Sequence, residues 1–381
     1  MYELEDEKSE ISEMEEIEEI EEISEMEDIQ EIEEDEEIEE LADEDEDEEI
    51  ETLESKEEVV EKVEVINNET SKNNSNNEVS IIKMYGEILT DKEYITNPAI
   101  ARDEEIKKMI LALITPDKSA LLVGKPGIGK TALVEGLAYR IHQNDVPDAI
   151  KGWRIIKINL PALLGKTLVN GTEVSKLQLL IDEIDNIEKT ILFIDEVHLL
   201  VAKNGGSVDV DFANMLKPYL DRGRILMIGA TTSEEYEAYI LRDRAFVRRF
   251  IKIDIAEAQG DDVVKILLGT TPKFEKKMGV KLGYSEFQRE RIFQWIVEYT
   301  SEYKRIYEIQ NRYPDICLTM ISSAFSYAIF ENSDTVTLKH IYLAMKNTNS
   351  IYDDAKEKAM LDFKTRFADM LEKEGIDVNS L

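Results

Sequence analysis

A chain of 381 residues has room for two or three domains, and its formal charge of −38 is unevenly placed: residues 1–80 hold 38 Asp and Glu against 4 Lys, leaving the rest nearly neutral. A single cysteine, Cys317, excludes an internal disulfide and fits a reducing, cytoplasmic setting. The absence of an eighteen-residue apolar run and of a basic-then-apolar start argues against a membrane span or a secretory signal.

In chain order, the first segment is the acidic one. Apolar residues recur every third position from Ile11 through Met14, Ile17, Ile20, Ile23, Met26 and Ile29 to Ile32. At 100° per residue such a stripe slips about 60° at each step, so no lasting amphipathic face or heptad seam can form. With hardly a Lys to pair the glutamates, self-repulsion predicts an extended, disordered tail over residues 1–80, ending in an Asn/Ser-rich linker at Asn67–Asn77. Three roles compete for it: a solvating extension, an arm whose interleaved Ile and Met anchor a basic protein partner, and a mimic of nucleic-acid charge; its own charge repels nucleic acid.

Buried strands are expected at Ala120–Val123, Arg154–Leu160, Thr190–Asp195, Arg224–Ala230 and Arg249–Ile255, separated by helical stretches. Near-continuous Ile/Leu/Val runs of this kind mark parallel strands covered on both faces, and so an α/β fold with its ligand at the carboxyl ends of the strands. After the first of them, Gly124 to Thr131 read Gly-Lys-Pro-Gly-Ile-Gly-Lys-Thr and open a helix. A loop of this kind turns backbone N–H groups toward phosphate oxygens and places them at a positive helix end. Pro126, Gly127, Gly129, Lys130, Thr131 and Ala132 are therefore candidate nucleotide-binding residues, with Lys130 on the β- and γ-phosphates and the Thr131 hydroxyl on Mg²⁺. The third strand ends in Asp195-Glu196. Asp195 is expected to hold the metal through water, and Glu196 to polarise the water that attacks the γ-phosphate. The pattern predicts binding and hydrolysis of a nucleoside triphosphate.

Beyond Glu257 helical spacing takes over, as in Ile292, Trp295, Ile296 and again Leu318, Ile321, Phe325, predicting a small helical domain. A last amphipathic helix is expected over 351–372 from Ala355, Ala359, Phe363, Phe367 and Leu371, packed on that same domain. The expected organisation is a tail (1–80), an α/β nucleotide-binding domain (81–256), a helical lid (257–348) and a C-terminal helix (349–381). Other chemistries find no support. His142, His198 and His340 are scattered, there is no Gly-x-Ser-x-Gly turn, and basic residues do not cluster with aromatics as nucleic-acid binding requires.

Further motifs occur in a recognisable order: Asn97-Pro98-Ala99-Ile100-Ala101-Arg102-Asp103-Glu104-Glu105-Ile106, Val146-Pro147-Asp148, Lys151-Gly152, Asn214-Met215-Leu216-Lys217-Pro218, Ile228-Gly229-Ala230-Thr231-Thr232 and Arg248-Arg249-Phe250. With the P-loop and the acidic strand end, they make residues 84–256 resemble the first ATPase module of the Clp-type AAA+ unfoldases and disaggregases. In the helical part Tyr313-Pro314-Asp315 is the one clear echo. The resemblance implies an AAA+ P-loop fold with a parallel sheet between helices, ATP and Mg²⁺ as ligands, and a homo-oligomeric ring, expected as a hexamer, that remodels a protein substrate. It further implies Ile100 against the adenine face, Thr232 as the sensor of the γ-phosphate, and Arg248 and Arg249 as fingers reaching a neighbouring subunit's nucleotide. Departures are equally specific. The loop that grips polypeptide maps to Gly165–Gly171, reading Gly-Lys-Thr-Leu-Val-Asn-Gly, with Val169 in place of the aromatic residue. Ile316 stands where the family usually carries Lys, which is expected to alter contact between lid and nucleotide. There is no second P-loop and no visible peptidase-docking loop. A nucleotide-gated scaffold that threads nothing, recruiting a basic partner through the acidic tail, is the competing expectation.

Overall fold

The computed structural model describes residues 80–163, 165–169, 172–201, 212–221, 225–309 and 312–377. The expected acidic tail and Asn-rich linker lie outside them. A short helix α1 (Ile81–Tyr85) leads into an edge strand β1 (Gly86–Ile88). Then come α2 (Asp103–Ile114), β2 (Ser119–Val123), α3 (Lys130–His142) and β3 (Arg154–Ile158). A hairpin of β4 (Lys166–Val169) and β5 (Thr172–Ser175) precedes α4 (Lys176–Asp185), β6 (Thr190–Ile194), α5 (Phe212–Asp221) and β7 (Leu226–Thr231). The α/β part closes with α6 (Ser233–Ala238), α7 (Arg244–Val247) and β8 (Phe250–Asp254).

The six-stranded sheet runs β1-β3-β6-β7-β2-β8, with β1 antiparallel to β3 and the other pairs parallel. All residues of β2 and β6 are buried, as their unbroken apolar sequences require. Two apolar clusters flank the sheet. One centres on Ile158, Ile194, Leu216 and Phe246, the other on Leu122, Leu137, Phe193 and Ile228. Register decides where the chemistry falls. Val123 pairs with Thr231, and Ile194 pairs with Gly229. The carboxyl ends of β2, β6 and β7 therefore open side by side, which brings Gly124, Asp195 and Thr232 to one edge of the sheet. β2 lies between β7 and β8, both later in the chain, so this edge is where an open α/β sheet forms its crevice.

The helical part comprises α8 (Gly260–Met278), β9 (Lys281–Leu282), α9 (Glu286–Tyr299), α10 (Asp315–Phe330), β10 (Thr335–Val336), α11 (Leu338–Lys346), α12 (Asp353–Arg366) and α13 (Ala368–Lys373). The single helix expected over 351–372 is two helices that meet at Phe367. Both pack into the lid's own core, where Phe363 and Phe367 lie 4.9 and 6.1 Å from the Trp295 ring and Trp295 Nε1 donates to Asp362 at 2.6 Å. One buried cluster thus runs through the stretches that the sequence divides at 348/349. At the junction of the two parts, Glu257 accepts from Arg305 Nη1 and from the Tyr313 N–H, both at 2.7 Å. Those bonds hold the stretch that ends in Pro314-Asp315. Among the described residues no helix is long and apolar enough to cross a membrane.

Candidate functional site

The P-loop leaves β2 and turns through Gly127 (φ 74°) and Gly129 (φ 96°), a backbone region that side chains resist. The thirteen-residue helix α3 starts at once at Lys130, so its unpaired N–H groups face the crevice. Lys130 Nζ donates to the carbonyls of Gly124 (2.7 Å) and Lys125 (3.0 Å), curling the ammonium over the loop. Burial pushes its pKa down, opposed by the charges of Asp195 and Glu235. The Thr131 hydroxyl donates to Asp195 Oδ2 at 2.7 Å, while Asp195 Oδ1 accepts the Glu196 N–H at 3.2 Å. Glu196 itself has φ 53°, a left-handed conformation costing a non-glycine residue about 1–3 kcal/mol. Glu196 is exposed and lines the cavity.

Across the crevice, Thr232 caps α6 in a capping box: its Oγ1 accepts the Glu235 N–H at 3.2 Å, and Glu235 Oε2 accepts the Thr232 N–H at 2.9 Å. Thr232 also lines the cavity. Burial alone would raise the Glu235 pKa; the Thr232 backbone and hydroxyl, His198 and the Thr231 hydroxyl hold it below the ordinary glutamate value.

Together these residues line a cavity of about 460 Å³, a size suited to a small-molecule ligand. Pro126, Gly127, Gly129, Lys130, Thr131, Ala132, Asp195, Glu196 and Thr232 line it from the α/β part. Ile100 lines it too, with Ile266, Thr270, Lys273 and Leu318 from the lid. Lys273 and Asp315 are desolvated there, which lowers the lysine pKa and raises the aspartate's. Asp315 sits against the P-loop, about 3.0 Å from where a Cβ at Gly127 would stand. Ile316, by contrast, is buried in the lid core and does not line the cavity, so it is Asp315 and not Ile316 that meets the P-loop. Of the lid residues, Asp315 stood in the Tyr313-Pro314-Asp315 echo and Leu318 in the helical spacing, while Ile266, Thr270 and Lys273 had no signal. Glu235 did: Thr232-x-x-Glu235 before an apolar stretch spells a capping box.

The two arginines are not in this cavity, and they differ from one another. Arg248 is exposed at the end of α7. Arg249 is buried, donates from Nη1 to the Ala245 carbonyl, and accepts the Ser119 N–H on its own carbonyl at 2.9 Å. The loop expected to grip polypeptide is the β4–β5 hairpin, with Leu168 exposed; Asn170 and Gly171 lie outside the described residues.

How tightly Ala99-Ile100 is packed against α3 can be tested at Gly136. A Cβ there would stand 2.2 Å from the Ala99 Cβ and 3.1 Å from its nitrogen. Gly136→Ala is expected to cost about 1–3 kcal/mol of stability and to displace Ala99-Ile100, raising KM for ATP more than it lowers kcat. Thermal melts and steady-state kinetics check both.

Comparison with known proteins agrees with this geometry. Residues 120–253 match the ATPase family associated with various cellular activities (AAA). The chain is 40% identical over 188 residues to the chaperone protein ClpB of Rhodopirellula baltica, covering 49% of this chain and 21% of that protein. Its fold is similar to the S. cerevisiae Hsp104-ADP complex (TM-score 0.57, 32% identity, 69% of this chain and 44% of that one). It is also similar to a closed state of Hsp104 with ATPyS and FITC casein (TM-score 0.60, 29% identity, 78% and 54%). The chain thus spans about a fifth of its ClpB relative and about half of the Hsp104 chains. Sheet order, P-loop, acidic strand end and these likenesses converge: residues 120–253 match the AAA family, and the chain is similar there to the ATPase modules of Clp-type AAA+ proteins.

Proposed function

We propose that this module hydrolyses Mg²⁺-bound ATP within a homo-oligomeric ring, read as a hexamer, to remodel protein partners. The observation that carries the proposal is the Thr131–Asp195–Glu196 constellation laid against two left-handed P-loop glycines. A hydroxyl and a carboxylate are hard oxygen donors, and such a set suits Mg²⁺, with Asp195 reaching it through water. The metal, when bound, neutralises charge building on the phosphate oxygens. Lys130 and the N-terminal N–H groups of α3 hold the β- and γ-phosphates, Ile100 packs on the purine with Leu318 and Ile266 beside it, and Thr232 donates toward the attacking water. Glu196 takes that water's proton. Arg248, exposed and outside its own cavity, suits the part of finger to the next subunit. Arg249, bound to the Ala245 carbonyl, holds the turn from which Arg248 projects. The tail (1–80), the α/β part (81–256) and the helical lid are the units of that machine. Nothing in the site calls for nucleic acid.

One specific observation favours a second reading, a nucleotide-gated scaffold: the hairpin that would grip substrate carries Leu168 and Val169 and no aromatic residue. An aliphatic tip offers less contact area than tyrosine. The two readings separate on Val169→Tyr and Val169→Ala. A threading motor gains unfolding rate on a model substrate with tyrosine and loses it with alanine at unchanged basal ATPase; a scaffold responds to neither. The tail is tested by deletion of residues 1–78, which spares the Ser80 cap of α1 and its 2.5 Å bond to Glu183. Basal ATPase should stay within about two-fold. Capture of a basic partner should be lost, as it should be from the intact chain at high salt.

A further inference from the structure

His198 lies two residues beyond Glu196, on the turn Val197–Leu200, and is only 8% exposed. Its Nδ1 stands 3.1 Å from Glu235 Oε2. The same oxygen accepts the Thr231 hydroxyl at 3.0 Å and the Thr232 N–H at 2.9 Å. One carboxylate oxygen therefore gathers three groups from two separate strand ends: the turn after β6, which carries Glu196, and the end of β7, which carries Thr232. Behind it the His198 ring stacks on Tyr239, with centroids 5.9 Å apart and planes 27° apart. For Nδ1 to donate to a carboxylate, the imidazole must carry its proton on that nitrogen. A helix cap needs only the Thr232 pair. The buried histidine from another strand end is surplus to capping.

We infer that Glu235 and His198 are positioning residues for hydrolysis, joining the turn that carries Glu196 to the loop that carries Thr232 so that base and sensor keep one spacing. His198 does not line the cavity; Glu235 does, but its Oε2 is taken up by Thr231, Thr232 and His198. Their effect falls on the geometry of the attacking water, where a displacement of about 1 Å costs roughly 10²-fold in rate. The inference rests on the ATPase reading of the site, which wild-type turnover and its loss in Glu196→Gln test independently.

The experiment uses the full chain and measures ATP turnover, KM and equilibrium nucleotide binding. His198→Phe keeps a ring against Tyr239 but removes the donor; His198→Asn restores a donor near Nδ1. The expected result is a kcat lowered about 10- to 100-fold in His198→Phe with KM and nucleotide affinity little changed, and substantial recovery in His198→Asn. Glu235→Ala should lower kcat to a similar degree, with partial recovery in Glu235→Gln. The double variant His198→Phe/Glu235→Ala should be no slower than Glu235→Ala alone, since both break one joint. Gln288→Ala, which opens the lid's own capping box with Ser285, controls for the loss of a cap and should leave kcat alone. A wild-type kcat in His198→Phe, or additive losses in the double variant, overturns the inference while leaving the ATPase reading standing. Should Glu235→Ala fail to fold, the His198 pair decides the matter unaided.

Discussion

Glu196→Gln is expected to bind ATP as tightly as the wild type and to hydrolyse it about 10²–10⁴-fold more slowly, the range that removal of a general base produces. Glutamine has the same reach, so the change subtracts proton uptake and little else. Glu196 takes part in none of the bonds that hold the P-loop: Lys130 rests on Gly124 and Lys125, and Thr131 rests on Asp195. Single-turnover hydrolysis with a fluorescent-nucleotide titration separates chemistry from binding. Lys130→Ala supplies the contrast, since it should lose nucleotide before any chemistry begins. A Glu196→Gln protein that loses affinity and rate together would move Glu196 from catalysis to binding. The left-handed backbone adds a stability readout. Asn accepts φ near +53° more readily than Glu does. Glu196→Asn should therefore hold or raise Tm while losing hydrolysis, the signature of strain kept for a task.

How much of this was legible beforehand follows from how each part is stabilised. The parallel strands β2, β3, β6, β7 and β8 are covered on their faces, so their apolar runs announce them and the P-loop follows in its place. The three-residue β1 carries no such run. It exists because Gly86, Glu87 and Ile88 find an antiparallel partner in β3, a tertiary fact with no local mark. The β4–β5 hairpin is short and largely polar, and only the resemblance pointed to a loop there. The part of the cavity lined by Ile100 and the lid was half visible. Ile100 came from the resemblance, whereas Ile266, Thr270, Lys273 and Leu318 reach the site only because α8 and α10 fold back over it. The break at Phe367 escaped the i,i+4 stripe for a related reason. Phe363, Phe367 and Leu371 all turn toward the Trp295 cluster, and a stripe reports which residues are buried, not whether one helix carries them.

Mixing two dead proteins tests the ring. Arg248→Ala alone should lower kcat about 10³–10⁵-fold, the contribution of an arginine finger to phosphoryl transfer, with nucleotide binding intact because Arg248 lies outside its own cavity. Arg249→Ala should behave differently. Its side chain is buried against the Ala245 carbonyl, so its loss should show first as a lower Tm and only then as a displaced Arg248. In the proposed head-to-tail ring, each pocket would take Lys130 from one copy and Arg248 from the next. An equal mixture of Lys130→Ala and Arg248→Ala chains, exchanged at random, should recover about a quarter of wild-type pockets, since that fraction pairs an intact lysine with an intact neighbouring arginine. The same mixture of Lys130→Ala with Glu196→Gln should recover nothing, because both residues serve the pocket of their own chain. Recovery in the first mixture and silence in the second requires a site divided between copies. Silence in both, from chains that co-assemble, would place the arginine's work within a single chain.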